Sequence, residues 1–357
     1  MGGIAVSLKD IIGKTLSQWM KGTGPETDIV LGSRVRLARN LTGVPFPAAA
    51  SDEQRAFVVR EARRALQQTN GALGDVDFVA MAELAPLERQ LLVEKHLISP
   101  AHTQDVKNKA VLLRSDEAVS IMVNEEDHFR IQALVSGLAL DEAWNLCNGV
   151  DDALSKVLNF AFTERFGYLT ACPTNVGTGM RASVMLHLPA LTLTDQIKRM
   201  IGAVSQFGLA VRGIYGEGTE VLGNIYQLSN QITLGHREEE IIEHLNNVTK
   251  RVLEQERAAR EQLLAKGRRN IEDRIYRSYG ILANARLISS HEAMQRISDL
   301  RLGIDLGVIK GIEPRILQEL LVMIRPAHLQ KIMGQELDAP ARDEKRAALI
   351  RERLRQK

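Results

Sequence analysis

The apolar run Val119–Val123 limits the possible folds of this chain more than any other feature, because a charged segment, residues 124–130, follows it without a break. A short apolar run rich in β-branched residues predicts a buried strand, so Glu125, Glu126 and Asp127 are expected at its edge. Half-buried carboxylates are costly unless a cation meets them. The alternative for an isolated acidic tripeptide is a turn whose side chains are solvated. Which of the two holds depends on whether the rest of the chain supplies a cation.

Composition excludes several classes of protein. The chain has 357 residues, 45% hydrophobic and 25% charged, which leaves room for one large globular domain and a smaller one. A formal net charge of +2 and an aromatic content of 4% argue against a nucleic-acid-binding regulator. Two cysteines, Cys147 and Cys172, are too few for a disulfide scaffold and typical of a reducing compartment. Residues 7–20 are amphipathic and charged rather than a signal peptide, and no apolar run reaches the roughly 18 residues of a membrane span, so we expect a cytoplasmic protein.

Local patterns predict a mixed α+β fold. In residues 33–40, period-two alternation places Arg34 and Arg36 on one face of a strand and Val35 and Leu37 on the other. Ser51 opens a helix over residues 51–68, with Gln54 at the capping-box position. Strands vanish after about residue 236, where charged helices such as 238–265 predict a separate helical domain. Further strands are expected at 76–81, 110–113 and 183–188, a helix at 86–95, and helix-rich structure over 138–166.

Two glycine-rich loops separate these elements. Gly177, Gly179 and Ala182 have the spacing of a dinucleotide fingerprint, but that fingerprint opens a helix, whereas here it opens a strand. No Walker-type phosphate loop occurs in the sequence, so side chains must hold any bound phosphate. The second loop, residues 212–220, combines an arginine with carboxylates. Such loops can close over a ligand, although surface turns without a role are commoner.

Two of these segments, residues 124–128 and residues 172–182, resemble the signature motifs of the phosphagen kinases, the ATP:guanidino phosphotransferases. More narrowly, essentially the whole chain is similar to the bacterial protein-arginine kinases (McsB-type). The resemblance implies an N-terminal helix and linker over 1–27 and an α+β catalytic domain over 28–260, whose mainly antiparallel sheet is flanked by helices. It also implies an all-helical C-terminal domain over 261–357, with phosphoarginine-binding and dimerisation roles. The implied activity is transfer of the γ-phosphate of ATP to arginine side chains of proteins.

The resemblance also implies an ATP site in which five arginines meet the phosphates and a histidine lies beside the nucleotide. Guanidinium forks make paired, charge-assisted bonds to phosphate oxygens and stabilise a transferring phosphoryl group. Mg²⁺ bridging the phosphates completes the neutralisation, and no residue is implied as a protein ligand of the metal. Each arginine alone would more often be a surface ion pair. The implied ATP-binding residues are Ser33, Arg34, Val35, Arg36, His96, Arg130, Arg181, Ala182, Ser183, Val184, Met185, Arg212, Gly213, Ile214, Tyr215, Gly216 and Glu217.

In this interpretation the cation that the carboxylates need is the guanidinium of the substrate. A carboxylate must also act as the base for this guanidinium. Its pKa lies above about 12, so its nitrogen has no free lone pair at neutral pH. By resemblance, Glu126 clamps the guanidinium and accepts a proton, and Glu217 matches a second substrate carboxylate. Glu125 and Asp127 are supporting or magnesium-side groups. Cys172 matches a cysteine near the guanidinium, with a substrate-tuning role and sensitivity to oxidation; taken alone, it would be a small buried hydrophobe.

The chain departs from the small-molecule phosphagen kinases in two respects. Only 27 residues precede the catalytic segment, where those enzymes carry a helical domain that helps to enclose a free amino acid. Met185 stands where many of them carry a histidine, which puts that nucleotide-side contact in doubt. We therefore expect an open guanidino site that suits arginine on another protein. A kinase that acts on free arginine is the alternative.

Residues 342–347 match a phosphoarginine-binding motif of the narrower family. Arg342 and Arg346 lie one helical turn apart and could grip one phosphate, while Asp343 meets the guanidinium of the ligand and Ala347 completes the motif. Without the family, a solvated basic helix end is the better interpretation. A phosphoarginine-binding adaptor without catalysis is a further alternative function.

Other partners follow from the resemblance alone. They are a heat-shock repressor among the protein substrates, a small zinc-binding activator protein and a Clp-type protease complex, in stress response and protein quality control. A homodimer is also implied, and residues 316–324 carry more apolar helical surface than a small appended domain easily buries. Direct binding to nucleic acid or to a membrane is not expected.

Overall fold

The computed structural model describes residues 17–213 and 221–355. The strands in these ranges are β1 Val30–Arg39, β2 Val76–Ala80, β3 Ala110–Arg114, β4 Val119–Val123, β5 Phe129–Ser136, β6 Phe162–Thr163, β7 Gly167–Tyr168, β8 Met180–His187, β9 Leu209–Gly213 and β10 Ile225–Asn230. The α-helices are α1 Asp52–Gln68, α2 Pro86–Glu94, α3 Leu140–Ser155, α4 Pro189–Leu193, α5 Ile197–Gln206, α6 Glu238–Asn284, α7 Ser290–Asp305, α8 Pro314–Met323, α9 Pro326–Met333 and α10 Ala339–Arg355.

Eight strands form one sheet in the order β2-β3-β4-β5-β1-β8-β10-β9. Each neighbouring pair is antiparallel, and the long strand β1 lies near the middle between β5 and β8. Helices cover the sheet, and the C-terminal region is helical from α6 onward. The prediction of an α+β fold with an antiparallel sheet and a helical C-terminal region is confirmed.

The pleat of β1 sorts its side chains as the alternation predicts. Val35 and Leu37 are fully buried in the main core, where they share a cluster with Val58 of α1 and Ala143 of α3. Successive side chains point to opposite faces of a sheet, so the arginines between these apolar positions emerge on the other face. The position of Arg34 and Arg36 therefore follows from burial of their neighbours.

The second face of the sheet carries a cleft and two further apolar clusters. Leu31, Leu134, Met185 and Ile225 pack in one cluster with Trp19 and with apolar side chains of the C-terminal helices. The strands β2–β4 pack on this face against α2 in a further cluster. The arginines lie between these apolar regions, in the cleft.

Three sequence expectations differ from the structure or stay open. Only α3, which ends at Ser155, is helical in the region expected to be helix-rich up to 166, and the β6–β7 hairpin follows it. Helix α6 runs through the predicted domain boundary and has non-helical backbone angles at Gly267, so the division at 260 stays a prediction. The argument for surplus apolar surface at 316–324 is wrong, because Leu317, Leu320 and Ile324 are at most 1% exposed within this chain.

The capping box that the sequence predicts at the start of α1 is present. Ser51 Oγ accepts a bond from the Gln54 amide at 3.3 Å, and Gln54 Oε1 accepts one from the Ser51 amide at 2.8 Å. We expect Ser51→Ala to lower the free energy of unfolding by about 1 kcal/mol, because an exposed helix start loses its side-chain acceptor. Urea unfolding followed by circular dichroism measures this change. An unchanged midpoint would show that water replaces the cap at no cost.

Candidate active site

One cleft of about 480 Å³ opens on the second face of the sheet. The five arginines that the sequence singled out all line it, together with His96, Glu126 and Cys172. They come from separate strands and loops: Arg34 and Arg36 from β1, Arg130 from β5, Arg181 from β8 and Arg212 from β9. Strand pairing brings them together, since Arg36 lies opposite Arg181 and Ala38 opposite Arg130 in the sheet register.

Neutral side chains and carbonyl groups hold several of these arginines in place. Arg34 Nη2 donates to Gln227 Oε1 at 2.6 Å, and Arg181 Nη1 donates to the Asn230 carbonyl at 2.8 Å. Within the described residues, the buried Nε of Arg36 has no hydrogen-bond partner. A neutral side chain thus orients Arg34, and Arg36 keeps a buried donor that no described residue satisfies.

The electrostatics of the cleft favour an anion. Burial, and then the charge of Arg130, lower the pKa of Arg34 to about 10. The pKa of Arg36 is lowered more, by burial and by the guanidinium groups of Arg34, Arg130 and Arg181. Positive charge that is disfavoured in this way is stabilised when a polyanion enters. The residues present therefore fit the phosphates of a nucleotide.

The acidic segment forms the loop between β4 and β5, and polar contacts fix its shape. Asn124 has a left-handed backbone with φ +59°, and its side-chain amide donates to the carbonyls of Arg55 and Asn108. His128 Nδ1 accepts a bond from the Leu41 amide, so Nε2 carries the proton that is donated to the Pro45 carbonyl. His128 is therefore a brace for this loop.

The three carboxylates of the loop have different surroundings. Glu125 pairs with Arg130 and accepts a bond of 2.6 Å from Ser99 Oγ. Asp127 accepts bonds from the Asn40 side chain at 2.6 Å and from the Ala171 amide at 2.7 Å, which ties the Cys172 loop to the acidic loop. Glu126 is exposed to the cleft and makes no hydrogen bond or ion pair within the described part of the chain.

These surroundings shift the pKa values of Glu126 and Glu125 in opposite directions. Burial, and then the neighbouring charge of Asp127, raise the pKa of Glu126 above its ordinary value. Burial alone would also raise the pKa of Glu125, but the charge of Arg130 and the bond from Ser99 outweigh it and lower the pKa to about 2. Glu125 is thus an ion-pair partner, whereas Glu126 is available as a proton acceptor.

The Glu125 pair predicts a pH dependence of stability. The pKa of Glu125 falls from 4.5 to about 2 on folding, so its contribution is fully present above pH 4.5 and is lost as the pH falls towards 2. We expect a Glu125→Gln variant to lose this part of the pH dependence. Free energies of unfolding measured at several pH values in this window test it, and equal slopes for the two chains would contradict the assignment.

Cys172 lies in a loop that is fixed from both sides. Its Sγ is 3.0 Å from Thr174 Oγ1, and Thr233 Oγ1 donates to the carbonyls of Thr174 and Val176. The thiol is half-buried and lines the cleft, unlike the fully buried Cys147. Cys147, and not Cys172, is therefore the cysteine that behaves as a small buried hydrophobic residue.

Not every residue that the resemblance implies reaches the cleft with its side chain. Ser183 accepts a bond from Arg34, and Met185 is buried beneath the C-terminal helices. Gly213 ends β9, and the predictions for Ile214, Tyr215, Gly216 and Glu217 lie outside the described residues. Four side chains are buried on the opposite face of the sheet, namely Ser33, Val35, Ala182 and Val184. Their roles stay predictions.

Sequence signals did not reveal which residues hold the arginines. Gln227 and Asn230 lie on β10, and Ser99 precedes a short turn that faces the acidic loop. Gln227 and Ser229 both line the cleft, and their polar character at alternate positions of an otherwise apolar strand was the available signal. Ser99 had no comparable signal, because its partner Glu125 is 26 residues away.

The C-terminal motif is built differently from the expected open phosphate grip. Arg346 is 2% exposed, and its guanidinium donates to the carbonyls of Ile324 and Ile288 and to Asp343. Arg342 donates to the Leu337 carbonyl at 2.8 Å, and Ala347 is buried. In this structure Arg346 therefore joins α10 to the chain around α8. The phosphoarginine role stays a prediction.

Comparisons with known proteins show to which family this chain belongs. The model "ATP:guanido phosphotransferase, C-terminal catalytic domain" matches residues 57–259, and the model "Protein-arginine kinase McsB C-terminal domain" matches residues 268–357. A protein-arginine kinase of Halothermothrix orenii is 53% identical over 351 residues, which cover 98% of this chain and 99% of the relative. The chain belongs to the protein-arginine kinase family. The resemblance inferred from the two motifs is thereby confirmed.

Other relatives agree with this assignment. The protein-arginine kinase of Moorella thermoacetica is 55% identical over 340 residues, covering 95% of this chain and 97% of its own length. Among solved structures, a taurocyamine kinase from Schistosoma mansoni with transition-state-analogue components has 26% identity and a TM-score of 0.60, over 75% of this chain and 37% of that one. A lombricine kinase, at 23% identity and a TM-score of 0.55 over 67% and 68% of the two chains, shares the fold. The family model and the curated relatives together show that this chain is a guanidino phosphotransferase.

Among the residues that the structure describes, no group of three or more His, Cys, Asp and Glu side chains could hold a metal ion. No helix within the same ranges has the length and apolar character needed to cross a membrane.

Proposed function

We propose that this cleft transfers the γ-phosphoryl group of ATP to arginine side chains of proteins, giving N-phosphoarginine and ADP. The observation that carries the proposal is the convergence of five arginines, Glu126 and Cys172 in one cleft. The full-length similarity to protein-arginine kinases supports the choice of a protein-bound arginine as the acceptor.

The proton balance follows from the position of Glu126. The carboxylate accepts a proton from the substrate guanidinium as its nitrogen bonds to the γ-phosphorus and the bond to the leaving ADP oxygen breaks. A raised pKa makes Glu126 a stronger base than an ordinary glutamate, and no described residue bonds to its two oxygens, which can therefore meet the substrate. Glu126 thus orients the nucleophile and takes its proton.

The arginines supply the electrostatic part of catalysis. Phosphoryl transfer depends mainly on positioning and on stabilising charge at the transferring group. Arg34 and Arg181 are oriented by Gln227 and by the Asn230 carbonyl, while Arg36 has a buried donor without a partner among the described residues. Mg²⁺, when bound with the nucleotide, adds positive charge at the phosphates. Glu125 and Asp127 are engaged with protein partners, so in this proposal the phosphates carry the metal.

We also propose the finer roles that follow from the family. They are a heat-shock repressor among the substrates, a zinc-binding activator, delivery of marked proteins to a Clp-type protease, stress-response quality control in the cytoplasm, homodimerisation and phosphoarginine binding at residues 342–347. Burial of the apolar stretch 316–324 removes one argument for the dimer. The similarity of residues 268–357 to the C-terminal domain of protein-arginine kinases supports the family-specific role of this region.

The function is tested by incubating the chain with Mg-ATP and an arginine-rich protein, in parallel with free arginine. Phosphorus NMR detects the acid-labile phosphoramidate. Signal on the protein alone supports the proposal, and signal on free arginine alone would make this a kinase of the free amino acid. Silence on both, with phosphoarginine binding retained, would favour a non-catalytic adaptor.

A further inference from the structure

Three consecutive residues at the end of α2 each contact a different distant part of the chain. Glu94, Lys95 and His96 are 3%, 0% and 7% exposed. Glu94 bonds to the start of α9, Lys95 pairs with Glu117 in the β3–β4 turn, and His96 lines the cleft. The C-terminal helices, the sheet and the cleft therefore meet at this short segment.

Glu94 is bound through both carboxylate oxygens. Oε1 accepts the Ala327 amide at 2.9 Å, and Oε2 accepts the His328 amide at 2.9 Å. His328 Nδ1 also lies 2.9 Å from Oε2, so its proton points to the carboxylate. These amides are in the first turn of α9, which leaves its N–H groups without intrahelical partners and favours a negative charge. Removal of the carboxylate would leave buried donors unsatisfied.

His96 has a backbone conformation that needs support. Its φ is +61°, in the left-handed region, where a residue with a side chain is strained unless its surroundings hold it. Its carbonyl accepts a bond from Gln132 Nε2 at 2.8 Å, and its ring meets the Trp19 ring edge-on with centroids 5.4 Å apart. Burial, and then the charge of Arg34, lower the pKa of His96 to about 3, so the ring is neutral.

Lys95 fixes the same turn from a second side. Its Nζ lies 2.8 Å from the Glu117 carboxylate, and its carbonyl accepts a bond from Trp19 Nε1 at 3.2 Å. Glu117 in turn accepts a bond from Ser17 Oγ. Glu94 bonds to the C-terminal helices across 233 residues of sequence, and the charge of Arg325, the N-cap residue of α9, also acts on His96.

We propose that Glu94 is a positioning residue: by bonding the first turn of α9, it holds the end of α2 and thereby the His96 ring at the nucleotide side of the cleft. The role for ATP rests on the proposed function. In the described part of the chain the cleft is lined by residues up to 229, so the C-terminal helices contact this segment without lining the cleft. Part of the nucleotide site then depends on helices that lie outside the sheet domain.

The test compares Glu94→Gln, Glu94→Ala and His328→Ala with a matched control. Ser298→Ala is the control, because Ser298 on α7 also makes buried bonds to the sheet side, to His187 and Asn224, but no hydrogen bond to α2 within the described residues. Histidine-ring NMR of the nucleotide-free chain, with the His96 signal assigned by His96→Gln, reports on the ring directly. We expect this signal to shift and broaden most in Glu94→Ala, less in Glu94→Gln and His328→Ala, and not in the control.

Kinetics give the second measurement. We expect Glu94→Ala to raise the KM for ATP about tenfold, the size of one lost hydrogen bond, with kcat little changed. A purely structural role would lower the active fraction without changing KM, and would move Ser298→Ala equally. If Glu94→Ala does not fold, the two milder variants decide the question. An unmoved His96 signal in the Glu94 variants overturns the inference, whereas absence of phosphotransfer by the wild type removes the proposed function and leaves the NMR result to judge the positioning.

Discussion

A Glu126→Gln variant should lose kcat by about 10²- to 10⁴-fold, the usual contribution of a positioned general base, while it still binds ATP. The amide has the shape of the carboxylate but cannot accept the guanidinium proton. The arginines that would hold the nucleotide are bonded to Gln227, Asn230 and Glu125, so they stay in place. Phosphotransfer to an arginine-rich protein and ATP binding by calorimetry measure the two effects separately.

The pH profile makes this assignment specific. Burial and Asp127 raise the pKa of Glu126, so wild-type activity should fall as the pH drops through that pKa and the base becomes protonated. The acid limb should be absent from the residual activity of Glu126→Gln. Glu142→Gln, on the exposed side of α3, is the control and should match the wild type. Wild-type kcat in Glu126→Gln would assign the base to another residue.

Local sequence signals predicted the parts of the site that depend on local structure. The alternation in β1 placed Arg34 and Arg36 on the face opposite Val35 and Leu37, because burial of one set forces the other outward. The acidic segment was expected at the edge of a buried strand, and it forms the β4–β5 loop. The same alternation rule would have excluded Ala182 and Val184 as side-chain contacts, since Arg181 between Met180 and Ala182 faces the cleft.

Contacts between distant segments could not be predicted in this way. Burial of Arg346 depends on carbonyls of Ile324 and Ile288 that are 22 and 58 residues away, so a basic helix end looked solvated. Likewise, α8 looked too apolar for a small domain because its packing against α7, α9, α10 and the Gln18–Lys21 turn is not visible in its own sequence. Neither the basic pattern around Arg346 nor the apolar pattern of α8 indicates which distant residues pack against it.

An Arg36→Met variant should lose kcat/KM by about 10²- to 10³-fold, yet the nucleotide-free chain should be at least as stable as the wild type. Burial and the charges of Arg34, Arg130 and Arg181 disfavour a cation at this position. The buried Nε has no partner among the described residues, so the substitution breaks no bond that it makes there. A site prepared for a polyanion should therefore trade stability of the empty protein for affinity.

The comparison of two melting temperatures decides this point. Without nucleotide, Arg36→Met should melt at or above the wild-type temperature; with Mg-ATP, only the wild type should gain stability, because a ligand stabilises the state that binds it. Arg268→Met is the matched control, since Arg268 is 68% exposed and pairs only with Glu272 of the same helix among the described residues. A lower melting temperature of the empty Arg36→Met chain would show that Arg36 holds the fold together, and its loss of activity would then say little about phosphate binding.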